Sequence, residues 1–153
     1  MNGHGGNRSA LAAAAPKLYK KGILCAIPFW YDGAGQLNPR WAHYPDHGGF
    51  KETLVNMATM PDAMRMDLYV PANVGYQMTE RLTSEYIRLI EFQNTKMHVH
   101  YPTKTVWPHG FIEHGILSTE ATKEEGEQML EEVAQFYANF LEEFLKAPLP
   151  PFE

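Results

Sequence analysis

A single cysteine, Cys25, stands in the whole sequence, so no intrachain disulfide framework can form and a reducing compartment, the cytoplasm, is the expected setting. Basic residues are also in the minority: 13 Lys and Arg against 18 Asp and Glu leave a formal charge of −5. That balance offers no basic patch for nucleic acid or an anionic membrane surface. No apolar run approaches the length that spans a bilayer, and the N-terminus lacks a signal-peptide pattern. A soluble intracellular protein without nucleic-acid or membrane partners is expected. What is present is a globular composition, 44% hydrophobic and 12% aromatic, in 153 residues that suit one core.

The stretch around which the chain is organised is Asn2-Gly3-His4-Gly5-Gly6-Asn7. A histidine flanked by glycines has no bulky neighbours, so a ligand or metal can approach both ring and backbone. A Gly-rich turn running into a helix also aims free N–H groups at whatever binds there. Such a turn normally leaves the end of a strand. Only Met1 precedes it, so that strand is expected outside this sequence, and residues 1–153 are read as one partial domain.

Residues 9–21 have the composition of a helix whose alanine face would pack on a sheet, capped by Asn7 or Ser9 and kinked at Pro16. Residues 23–27 form a continuous apolar run, the pattern of a strand buried on both faces, and helix followed by buried strand points to an α/β layered domain. From 28 to 47 the pattern reads as a long functional loop. Gly48-Gly49 opens a second helix with Leu54, Val55, Met57, Ala58 and Met60 on its apolar face, ended by Pro61, with one further turn over 62–67. Residues 68–105 stay open: 79–92 fit either a helix or a strand pair. Thr122 and Glu125 have capping-box spacing ahead of a helix whose apolar face runs from Met129 to Leu145, stopped by Ala147-Pro148.

His47 stands at the mouth of the second helix, and histidine's ordinary pKa near operating pH suits proton transfer. Glu52, in the first turns of that helix, would point into the same pocket as a ligand or as an orienter of His47. Asp46 and His47 could equally do no more than cap the helix. His43 and His47 are four apart, but Pro45 between them argues against a zinc pair on one helix face. His98 and His100 alternate as on a strand face and suit a metal or a plain exposed edge. His109 and His114 have no visible partner. Trp30, Trp41 and Trp107 suit core or pocket wall, and Cys25 has no base beside it to make it a nucleophile.

Three segments in this order resemble the creatininase (creatinine amidohydrolase) family. They are the Asn2–Asn7 turn with its alanine-rich helix, the stretch from His47-Gly48-Gly49-Phe50-Lys51-Glu52-Thr53 through Pro61 to Arg65 and Asp67, and Ala121-Thr122-Lys123-Glu124-Glu125-Gly126-Glu127. The resemblance implies an α/β fold, a three-layer α/β/α sandwich around a mixed sheet, in a homo-oligomer. It also implies hydrolysis of a C–N bond in a small, sometimes cyclic amide, at a centre of two divalent metals (zinc, manganese or iron). Such metals polarise a carbonyl and generate hydroxide. His4 falls on the family's metal-binding histidine and His47 on the one credited with proton transfer. The sequence departs from the pattern at Gly6, where family members carry a glutamate ligand, at His43-Tyr44 in place of Trp-Asp, and at Leu54 in place of serine. An amide, formamide or lactone-like substrate other than creatinine therefore fits as well. The ligands of the family's N-terminal half have no counterpart, so activity is expected only with a complementing N-terminal half. The alternative is a non-catalytic relative serving as an assembly or small-ligand-binding subunit.

Overall fold

A computed structural model describes residues 1–42, 47–71, 76–86, 89–99 and 115–149. His43, Asp46, His100, Trp107, His109 and His114 lie outside the described residues. Four α-helices are described: α1 (Arg8–Tyr19), α2 (Trp30–Leu37), α3 (Phe50–Thr59) and α4 (Lys123–Phe144). Four strands accompany them: β1 (Tyr76–Thr79), β2 (Leu82–Tyr86), β3 (Leu89–Phe92) and β4 (Thr95–His98). Mixed helix and strand content fits the α/β class. The chain divides into two compact units, Met1–His43 with Met129–Glu153, and Tyr44–Gln128.

In the first unit α1 forms where alanine predicts it, with Pro16 inside the helix, yet none of its residues is buried. The expected packing of its alanine face on a sheet is not seen among the described residues. Residues 23–27 correct the sequence reading more sharply. They form no strand: Cys25 is exposed, and the one β-type pairing nearby is a parallel bridge between Asn2 and Phe29. An apolar run becomes a strand only with a neighbour to share its backbone hydrogen bonds, and residues 24–27 have no backbone partner among the described residues. The long loop expected over 28–47 is corrected too. It contains α2 and a 3-10 turn, Pro39–Trp41, opened by Asn38, whose side chain accepts the Arg40 N–H at 2.9 Å.

The cap of α2 comes from far along the chain. Phe29, at its N-cap, has no capping side chain. The Tyr137 hydroxyl accepts the Gly33 N–H at 3.2 Å and donates to the Phe29 carbonyl. One phenol thus bridges the Gly33 N–H and the Phe29 carbonyl, the two groups that would otherwise close the first i→i−4 bond of the helix. Gly33 is required for this approach, since a Cβ there would come within 2.8 Å of the tyrosine ring. Phe29, Ala34, Trp41, Met129 and Val133 are buried. Farther along α4 the expected apolar face is only partly covered: Phe136, Phe140, Leu141 and Leu145 are exposed.

In the second unit α3 begins and ends where expected, with Phe50 and Leu54 buried and Pro61 after its last turn. Two 3-10 turns, Pro61–Ala63 and Met66–Leu68, replace the single turn expected over 62–67. The start of α4 crosses α3 closely: a Cβ on Gly126 would stand 2.2 Å from the Leu54 carbonyl oxygen. Thr122 accepts the Glu125 N–H at 3.1 Å, as the capping pattern predicts.

Between these elements lies an antiparallel meander in the order β1-β2-β3-β4, which settles the open reading of 79–92 in favour of strands. Ser84 is fully buried and its hydroxyl donates to the Leu89 carbonyl at 3.0 Å. The β3–β4 hairpin turns on Gln93 and Asn94, with φ of 49° and 61°. Positive φ at both central residues is the signature of a type I′ turn, whose twist suits a two-residue hairpin.

Candidate functional site

In the first unit His4 has extended backbone and caps the 3-10 turn Gly5–Asn7. Its Nδ1 accepts the Gly6 N–H at 3.0 Å. The turn is held by Asn2, which is buried, gives its amide N–H to the His4 carbonyl at 2.7 Å and accepts the Asn7 side-chain N–H at 3.0 Å. The Arg8 guanidinium lies over the Phe29 ring, 4.2 Å from its centroid, and ties the start of α1 to the same region. A side chain at Gly6 would meet the imidazole, since a Cβ there falls 2.9 Å from two ring atoms.

In the second unit His47 is half-buried at the entry of α3, and Glu52 is exposed. Glu52 Oε2 accepts the Gly48 N–H at 2.7 Å. Gly48 has φ +65°, a left-handed conformation that glycine adopts freely, and its carbonyl also accepts the Ser118 hydroxyl at 3.4 Å. The turn carrying His47 is thus pinned from two sides, by the third residue of α3 and by the segment before α4. At the end of the same motif, Arg65 and Asp67 form an exposed two-pronged pair at 2.8 and 2.6 Å. The Arg65 guanidinium holds the Asp67 carboxyl below its ordinary value. His98, at the end of β4, is exposed.

Two residues that the sequence reading left without a role belong in this description. Asn2 organises the His4 turn, and its place directly before Gly-His was the available signal. Lys51 is buried beside Glu52 on α3; a lysine in a helical first turn gives no sequence sign of burial.

The donor set can be tested against a metal. Nδ1 of His4 is an acceptor, which puts the proton of a neutral ring on Nε2, so in this geometry neither nitrogen offers a free lone pair. Glu52 is likewise engaged with a backbone N–H. Among the described residues no group of three His, Cys, Asp or Glu side chains is placed to hold a metal ion. A metal centre takes three or four ligands. These side chains alone do not make one.

A family model described as creatininase, creatinine amidohydrolase, matches residues 1–141. That span takes in the His4 turn, the His47–Glu52 turn, the Arg65–Asp67 pair and most of α4. No curated protein and no solved structure matches the chain. No helix of the described residues is long and apolar enough to cross a membrane.

Proposed function

Because this chain belongs to the creatininase family, we propose that it contributes part of the site of a metal-dependent amidohydrolase acting on a C–N bond of a small amide. The family match over residues 1–141 carries this reading, and amidohydrolase-type hydrolysis is the activity it suggests. Members of the family are typically metal-dependent. In this proposal His4 is one ligand of a divalent metal (zinc, manganese or iron, two per complete site). It takes that role once Gly6 gives up Nδ1. His47 is the proton-transfer residue, with Glu52 beside it on α3. The remaining ligands come from a complementing N-terminal half, and the completed fold is a three-layer α/β/α sandwich around a mixed sheet, assembled as a homo-oligomer in the cytoplasm. Support for a complement is physical: the backbone groups of residues 24–27 meet no backbone partner among the described residues, and Phe136, Phe140 and Leu141 of α4 are exposed.

The test is metal content and turnover. Alone, the chain should carry metal well below one equivalent by elemental analysis and release no ammonia or amine from small amides. Expressed with a complementing N-terminal half of the family fold, it should take up stoichiometric metal and hydrolyse an amide. Two tightly held metals and turnover in the isolated chain would sink the half-site reading.

A second reading, a non-catalytic assembly or small-ligand subunit, is favoured by one observation. Both His4 and Glu52 serve here as local caps. For an assembly subunit His4→Ala leaves oligomer size unchanged, whereas for the hydrolase it abolishes metal uptake by the complemented protein.

A further inference from the structure

Two stretches of the first unit meet at a single bridge. The Asn2 N–H goes to the Pro28 carbonyl at 2.8 Å and the Trp30 N–H to the Asn2 carbonyl at 3.4 Å, which pairs Asn2 with Phe29 in parallel. In a parallel pair the register advances equally on both chains, so two residues on His4 comes level with Tyr31. The side chains bear this out. A Cβ on Gly5 would stand 3.5 Å from the Tyr31 hydroxyl oxygen.

Two polar groups therefore flank the glycines of the turn. The His4 ring fills the space beside Gly6, and the Tyr31 phenol reaches the space beside Gly5. Neighbouring Cα atoms are about 3.8 Å apart, so imidazole and phenol border adjacent residues, on the scale of a small molecule. His4, Gly5 and Gly6 are exposed and Tyr31 is half-buried, which leaves the turn open to a solute.

Tyr31 is held in place. It lies in the first turn of α2, with its ring centroid 5.4 Å from that of Phe29 and 5.8 Å from that of Trp30. Phe29 is in turn fixed by the Arg8 guanidinium over its ring and the Tyr137 hydroxyl on its carbonyl. A side chain ordered in advance loses little freedom on binding, so its hydroxyl can discriminate between ligands.

We propose that Tyr31 is a specificity-determining residue of the His4 site, forming one hydrogen bond with a neutral polar substituent of a small amide whose carbonyl lies beside His4. That the ligand is an amide rests on the proposed function; the place of the phenol rests on the turn and the bridge. A phenol is uncharged near neutral pH and both gives and accepts a hydrogen bond, which suits a hydroxyl or amide substituent. A carboxylate is better met by the charge of Arg or Lys.

The experiment compares acetamide with glycolamide, which adds one neutral hydroxyl, and with oxamate, which adds a carboxylate. Each is titrated against the 153-residue chain and followed by NMR at the Gly5 and Gly6 amides. Glycolamide should bind about three- to tenfold more tightly than acetamide, the ratio that one net hydrogen bond supplies. In Tyr31→Phe the ratio should fall to about one while acetamide binds as before. Gly5→Val, whose side chain takes the space of the phenol oxygen, should lose the ratio too. It alters an exposed glycine and keeps the test open if Tyr31→Phe does not fold, with the amides of α4 reporting the fold of each variant.

A merely structural tyrosine would move both probes together and leave their ratio intact. That result overturns the proposal, as does a preference for oxamate or the lack of a saturable shift with glycolamide. The readout needs neither metal nor turnover. An active complemented enzyme whose glycolamide preference survives Tyr31→Phe removes the role of Tyr31 and leaves the hydrolase; a Tyr31-dependent preference in a complemented protein that takes up no metal and hydrolyses nothing does the reverse.

Discussion

Tyr137 does for α2 what the residue at that helix's own N-cap cannot. Replacing it with phenylalanine keeps the ring against Gly33 but leaves the Gly33 N–H and the Phe29 carbonyl without the hydroxyl. A loss of about 1–2 kcal/mol is expected in denaturant unfolding. The same phenol has a pH signature. Burial pushes its pKa up, the Asp32 charge adds to this, and the Gly33 N–H offsets part. A raised folded value means its contribution is complete below the unfolded value of about 10 and is lost as pH climbs through the folded one. Melting temperatures should therefore fall at alkaline pH, and the fall should be shallower in Tyr137→Phe. Gly126 offers a test of opposite intuition. Alanine favours a helix by about 1 kcal/mol over glycine, yet here its Cβ meets the Leu54 carbonyl. Gly126→Ala should destabilise by about 2 kcal/mol or more, read by chemical denaturation. Neither role was legible in the sequence, because each depends on a partner distant along the chain; Asn2 and Gly6, acting within their own turn, were visible as a motif though not as a network.

Elements with local signals were legible. Gly48-Gly49 before an apolar period and Pro61 after it frame α3, and Thr122 three residues before Glu125 starts α4. Thr122→Ala should cost about 1 kcal/mol, measurable as a lower unfolding midpoint. Elements whose state depends on neighbours were not legible. Residues 23–27 have a strand's composition without a strand partner among the described residues, and α2 lies in a stretch whose glycines and aromatics read as loop. Residues 79–92 can be drawn on a helical wheel, but strand pairing prevails, with Ser84 buried against the β3 backbone. The β3–β4 turn carries its own prediction. Gln93 sits at φ 49°, a conformation that costs a non-glycine residue about 1 kcal/mol. Gln93→Gly should raise stability by several tenths of a kcal/mol, with hairpin amides exchanging more slowly.

For the whole molecule, family membership was readable from three separated motifs, while the local partners of the candidate site residues were not. The described residues make that point in structural terms: His4 and Glu52 are each satisfied by a backbone N–H within their own turn. Gly6→Ala should dislodge the imidazole from Nδ1 contact and shift the His4 ring resonances in NMR, leaving the far-UV spectrum unchanged. The long reach of Tyr137 has a last consequence for biogenesis. A ribosome delivers the 30–37 stretch well before the phenol, with 108 positions separating Phe29 from its donor. Until then the nascent helix is open at its leading end, so products released before Tyr137 is added should present that stretch to proteases as unprotected chain.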